Sequence, residues 1–271
     1  MSRDLSALPE AALAELGVAP LWVRRATIER DMAAPLSATA ADAAGRPAAA
    51  AVLAVDAVDA VDAADAADAA TDRAARIARM SLSELGGAVA GCRACALCHQ
   101  RQRTVMGQGA SGVAWMLVGD SPDLDDQQDG RPFAGLTGRL LDNMLAECGL
   151  SRGGGGAPAD VYVTHALKCP AGHGHHDAAP LAACRPHLLR EIELVAPRVI
   201  IALGALAAHA LLGGTQHVGE LRGVVHRRSF GARELPVVVT WHPLHVLKMP
   251  SEKARVWADL CQARRTLDAT G

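Results

Sequence analysis

The stretch that decides the fold runs from Val113-Ala114-Trp115-Met116-Leu117-Val118 through Gly119-Asp120-Ser121-Pro122 to Gly130-Arg131-Pro132-Phe133-Ala134-Gly135-Leu136-Thr137-Gly138. The opening apolar run has the length and composition of a buried parallel strand. Beyond the glycines, Leu140, Leu141, Met144 and Leu145 recur at helical spacing. What lies between is a strand-to-helix loop, and such loops sit where open α/β sheets bind ligands. Its glycines let backbone N–H groups approach a ligand, and several carboxylates stand close by. The plainer alternative is an acidic surface loop with Phe133 packed beneath it.

Downstream, Val161-Tyr162-Val163-Thr164 reads as a second strand running into His165-Ala166-Leu167-Lys168-Cys169-Pro170. A helix is expected from Cys184-Arg185-Pro186 through Leu194, and Pro197 to Gly204 is the clearest buried strand, followed by an Ala/Leu helix to Leu212. Leu221 to His226 suggests a short strand, and Leu235 to Thr240 the last one, which empties into Trp241-His242-Pro243-Leu244-His245-Val246-Leu247-Lys248. A helix from Ser251 to about Leu267 closes the chain. Strands alternating with helices predict the α/β class: a three-layer α-β-α domain with a central, mostly parallel sheet. The strand ends at Gly119, His165 and His242 then face one crevice.

Of the 271 residues, the first part reads differently. Residues 1–32 hold a short capped helix and Trp22, too small to fold alone, so they either dock on the main domain or recruit a protein partner. Residues 33–80 are mostly Ala, Asp, Val and Pro, with a Val-Asp-Ala repeat from Val55 whose period fits neither helix nor strand. A disordered Ala/Asp-rich linker is expected there, and the folded domain over 81–271. Ser81 and Glu84 have capping-box spacing at its start.

No run of about 18 apolar residues and no signal-peptide core is present, so a soluble, cytoplasmic protein without membrane attachment is expected, and a monomer. Residues 1–80 carry 12 acidic and 8 basic side chains, leaving 17 acidic and 19 basic in 81–271. The folded part is thus weakly basic, which permits nucleic-acid binding without demanding it.

Seven cysteines in a reducing compartment point to metal or reactive roles rather than disulfides. Cys92 and Cys95 form a C-x-x-C pair able to hold one metal centre, with Cys98 close behind, while buried helix-end cysteines are the alternative. Thiolate chemistry alone leaves zinc and an iron–sulfur cluster both open. Cys148 and Cys261 fall in helical patterns and read as core. His173, His175 and His176 read as a solvated loop, because no second ligand set stands at fixed spacing around them.

Taken together these motifs resemble the type-4 (family 4) uracil-DNA glycosylases, the iron–sulfur branch of the uracil-DNA glycosylase superfamily. That family pattern joins a paired-cysteine segment to G-E-x-P-G, G-x-P-F-x-G-x-x-G, N-x-x-K-C, a further Cys before a helix, and H-P-S-x-x-L-R. The match covers about residues 85–268 in unbroken order. The resemblance implies that Cys92, Cys95, Cys169 and Cys184 ligate a 4Fe-4S cluster, leaving Cys98 outside the set. It implies DNA carrying uracil or another deaminated base as substrate, and hydrolysis of the N-glycosidic bond. Phe133 would stack on the base, with Gly119, Ser121 and His165 around it. His242 would donate to the departing base, with Asp120 and Asp126 as the catalytic carboxylates. Leu244 and Leu247 would wedge into the vacated stack, and Lys248 would meet a phosphate.

The departures from the pattern are Asp120 for Glu, Asp123 for Gly, Gln127 for the second acid of a Glu-Asp pair, His165 for Asn, Leu244 for Ser and Lys248 for Arg. His165 is the most consequential, because an amide both donates and accepts at fixed spacing and an imidazole does not. A catalytically weak DNA- or partner-binding relative is the second reading. An iron–sulfur or zinc scaffold without a base pocket is the third.

Overall fold

The computed structural model describes residues 68–153, 159–171 and 178–269. Residues 1–32, the low-complexity stretch to residue 67, and His173, His175 and His176 lie outside them.

Five strands, β1 (Trp115–Gly119), β2 (Val161–His165), β3 (Val199–Leu203), β4 (Val225–Phe230) and β5 (Arg233–Thr240), form one sheet in the order β2-β1-β3-β5-β4. All pairings are parallel except β4 against β5. Every residue of β1, β2 and β3 is buried; β1 and β3 read as unbroken apolar runs, while β2 ends in the buried polar pair Thr164-His165.

The helices are α1 (68–77), α2 (Leu82–Ala90), α3 (Leu124–Asp129), α4 (Gly135–Glu147), α5 (Ala178–Val195), α6 (Ala205–Leu212), α7 (Val218–Leu221), α8 (Pro243–Lys248) and α9 (Lys253–Asp268). Met116, Val118, Tyr162, Ile200, Ala202, Val237 and Val239 point to one face of the sheet and form a single core with Leu188 and Ile192 of α5, Ala207 and Leu211 of α6, and Val218 and Leu221 of α7. The alternate residues face the other way, where Asp259 of α9 accepts a 2.7 Å hydrogen bond from Thr240 Oγ1. These are the three layers expected from the sequence. Among the described residues no helix is long and apolar enough to cross a membrane.

The structure differs from the sequence reading at three places. The fourth strand is Val225–Phe230, not 221–226, and runs antiparallel to β5 through a hairpin in which Gly231 has φ 61°. Leu221 instead ends the short helix α7. The periodicity of a half-exposed edge strand that carries His226, Arg227, Arg228 and Ser229 is too polar to stand out.

Second, α5 begins at Ala178, and Cys184-Arg185-Pro186 lies inside it. Proline favours a first helical turn, which drew the predicted start too far along. In the interior it removes one backbone bond, and Arg73 Nη1 donates to the nearby Ala183 carbonyl at 2.9 Å.

Third, residues 68–77 of the expected linker are helical. Ile77 is buried, and Arg190 Nε donates to the Met80 carbonyl at 2.7 Å, so the ordered domain starts before residue 81. At Ser81 the capping box is present as the spacing predicts.

Candidate active site

The chain leaves β1, returns for β2 on one side and then crosses to β3 on the other, so the order reverses at β1. The crevice at the carboxyl end of β1 is the topological switch point, where α/β sheets bind ligands. Gly119 ends β1 there, in register with His165 at the end of β2 and Leu203 at the end of β3.

Gly119 has no side chain because two rings occupy that place: a Cβ would collide with the edge of Phe133 and with His165 Nδ1. The ring centroids of Phe133 and His165 are 4.7 Å apart, and those of Phe133 and His242 are 5.4 Å apart at 28°. Gly119, Phe133, His165 and His242 therefore meet at one point, as the sequence pattern expects.

Phe133 adopts φ 53°, a left-handed conformation unfavourable for an aromatic residue. Its surroundings hold it there. Arg152 Nη1 donates to the carbonyls of Pro132 and Phe133, each at 2.9 Å. Asp142 grips the same guanidinium at 2.6 and 2.8 Å. Gly138 allows α4 to start against the Phe133 carbonyl, since any Cβ there would strike that oxygen. Arg152 went unnoticed in the sequence, because an arginine in a glycine-rich connection carries no signal of its own.

Asp126 is buried, with both oxygens engaged within the protein. Oδ1 accepts from the Ala134 N–H at 2.6 Å, and Oδ2 meets His165 Nε2 at 2.8 Å and accepts from the Asp123 N–H at 3.4 Å. Burial works against its charge, but the hydrogen bond from His165 and the two backbone donors outweigh it and hold the carboxyl below its usual range. Asp123 completes a reciprocal cap on α3 by accepting from the Asp126 N–H at 2.9 Å. Its carboxylate is thus turned into the helix end.

Asp120 accepts from the Ala207 N–H at 2.9 Å, at the first turn of α6. Burial raises its pKa to about 6, against the pull of the α6 backbone donors. Ser121 lies half-buried in the turn that follows. His242 caps α8, its Nδ1 accepting from the Leu244 N–H at 3.2 Å. That bond assigns the proton of the neutral ring to Nε2, which becomes a donor.

Helix α8 packs on α4. Leu247 is 40% exposed on α8 and Leu136 is 62% exposed at the start of α4, while Lys248 is exposed and Leu244 half-buried.

Behind the crevice, Cys92, Cys95, Cys98, Cys169 and Cys184 line one small cavity. Arg101 Nη1 lies 3.4 Å from Cys169 Sγ, and Arg73 Nη2 lies 3.5 Å from Cys92 Sγ. Burial pushes the Cys184 thiol up to about 11. Among the described residues no three His, Cys, Asp or Glu side chains stand close enough to share one metal ion.

Lys168 joins the cavity to the crevice. Its buried ammonium donates to Thr164 Oγ1 at 2.6 Å, to the His165 carbonyl at 2.8 Å and to Glu191. Glu191 also accepts from Tyr162 Oη and the Gly107 N–H, both at 3.1 Å.

The family model described as the Uracil DNA glycosylase superfamily matches residues 106–261. The type-4 uracil-DNA glycosylase of Pyrobaculum aerophilum is 31% identical over 184 residues, covering 66% of this chain and 91% of that protein. That of Thermotoga maritima is 32% identical over 184 residues, with 66% and 91% covered. The Archaeoglobus fulgidus protein of the same name is 29% identical over 183 residues, with 66% and 89% covered.

Proposed function

The chain belongs to the uracil DNA glycosylase superfamily, and we propose that it is a DNA-repair hydrolase that removes uracil, or a related deaminated base, from DNA. The observation that carries this reading is the meeting of Gly119, Phe133, His165 and His242 at the switch point of the sheet.

Excision needs the nucleotide out of the stack, and then the C1′–N1 bond must stretch with its electron pair moving to the base. Phe133, held by Arg152 and buried against the rings of His165 and His242, would be the ring on which the base stacks. His242 Nε2–H is oriented by its own helix and would donate to the oxygen on which the negative charge gathers. Water adds at C1′, and Asp120, ionised at neutral pH, would take its proton. Asp126 orients His165, because both of its oxygens are already engaged. Leu244 and Leu247 would enter the gap left by the base, and Lys248 would meet a backbone phosphate.

Cys92, Cys95, Cys169 and Cys184 would hold a 4Fe-4S cluster. The donor chemistry fits: these four thiols line one cavity, and cysteine thiolates are the ligands that hold iron–sulfur clusters. Bound there, the cluster would brace the segment after β2 against α5 and the N-terminal turn, coupling metal loading to folding. Arg73 and Arg101 supply positive charge beside the thiolates.

Single-turnover cleavage of a labelled oligonucleotide carrying one uracil, by anaerobically purified protein of known iron content, tests the reading. Abasic product is expected, and its rate should fall about 100-fold or more in His242→Ala. No abasic product from iron-loaded protein overturns it.

A further inference from the structure

We propose that His165 reads the extruded base through one atom, the lone pair of Nδ1. The site then selects bases that present an imide N–H and leaves the group at position 4 unread. This rests on the glycosylase reading above and specifies what the pocket recognises.

Three observations carry it. Nε2 is engaged by the buried Asp126 carboxylate at 2.8 Å, which as an acceptor requires the ring proton on that nitrogen. Nδ1 is buried and has no hydrogen-bond partner among the described residues, in a side chain only 1% exposed. Finally, Nδ1 lies beside Gly119 and the edge of Phe133, in the crevice where the base would stack.

A buried polar atom without a partner is uncommon, and a ligand is one reason for it. With the one proton of the neutral ring on Nε2, facing Asp126, Nδ1 is left as a lone pair able to accept. The lone pair is therefore the form that waits for the ligand. It matches N3–H of uracil. A single acceptor makes no bond to O4, which an amide at this position would contact with its N–H group.

Asp126 thereby becomes a positioning residue, since it selects the tautomer without touching the base. Neighbouring carboxylates at Asp123 and Asp125 face α3 and its surroundings.

The test compares uracil, 4-thiouracil and N3-methyluracil, as single lesions in the same oligonucleotide and as free-base competitors of uracil excision. With the wild-type protein, free 4-thiouracil should compete within about threefold of uracil, and 3-methyluracil at least tenfold more weakly. In cleavage, His165→Asn should raise the preference for uracil over 4-thiouracil at least fivefold relative to wild type. That ratio cancels the better leaving-group character of the thio base. The inference is overturned if 3-methyluracil competes as well as uracil, or if 4-thiouracil competes as poorly as 3-methyluracil. Abasic product from uracil with either of those patterns leaves the glycosylase reading standing, whereas absence of product from all three lesions removes both. If His165→Asn fails to fold, the wild-type competition series alone decides.

Discussion

Thr164 and His165 are neighbours on β2 and point to opposite faces of the sheet, and their surroundings differ in kind. On the Thr164 side, Lys168, Glu191, Tyr162 and the Gly107 N–H form a buried network in which the charged groups find partners. On the His165 side, Phe133 holds a left-handed φ of 53° and Nδ1 lacks a partner. One face has its polar groups satisfied; the other carries strain and an unmet hydrogen-bonding group. Stability should therefore reside in the first and activity in the second.

The largest effect should come from breaking the satisfied face. Glu191→Ala leaves the Lys168 ammonium buried without a counter-charge and removes the acceptor for Tyr162, Thr164 and Gly107. A loss of about 3–5 kcal/mol is expected, because removing one member of a buried pair leaves an uncompensated charge. Thermal unfolding should show a drop of roughly 10 °C. Lys168→Met combined with Glu191→Leu should recover much of it. A loss below about 1 kcal/mol for Glu191→Ala would mean that the network is not what holds this strand end.

Next comes the clamp on the strained face. Arg152→Met removes the donors that hold the Pro132 and Phe133 carbonyls but leaves the core intact. The excision rate should fall about 10–100-fold while the melting temperature moves by only about 2 °C, since these bonds are part-buried and lie outside the apolar core. A drop in melting temperature as large as that of Glu191→Ala would erase the distinction between the two faces.

How far the sequence could be read follows the same division. The buried parallel strands were legible because strands covered on both faces are mostly apolar, with buried polar residues only at their carboxyl ends, Thr164, His165 and Thr240. The glycine-phenylalanine loop was legible too, because Gly119 and Gly138 are demanded by close approach and tolerate no side chain. β4 was misplaced because half of its surface is wet and its pattern polar. The boundary near residue 80 was drawn late because α1 is held by a few long-range contacts, Arg73 and Ile77 among them, which composition does not record. Asp123, a departure from the family's Gly in the sequence, acts as a helix cap, and Arg152 carries no signal there. Each acts through geometry between segments far apart in the chain. The C-x-x-C spacing marks only Cys92 and Cys95, whereas the cavity is lined by Cys92, Cys95, Cys98, Cys169 and Cys184, gathered from segments far apart in the chain.

The smallest effect, and the one that sharpens the comparison most, concerns Asp120. Burial lifts its pKa from 3.8 to about 6 although the α6 N–H groups stabilise its charge. A carboxyl whose folded pKa is raised contributes stability that is fully present below its unfolded pKa and is lost as pH rises through the folded value. Here that window runs from about pH 4 to about 6. At pH 8 the ionised group then destabilises the fold, by about 1–2 kcal/mol once its partial exposure is discounted. Asp120→Asn keeps an acceptor for the Ala207 N–H and removes the charge. Its melting temperature should exceed wild type by a few degrees at pH 8 and match it at pH 4. If this carboxylate takes the proton of the attacking water, the same variant should lose about 100-fold or more in excision rate. A variant more stable at pH 8 and less active places Asp120 with the strained face, where function is kept at the expense of stability. A variant that gains nothing at pH 8 would show that the α6 donors fully offset the burial, placing Asp120 with the satisfied face as a helix cap.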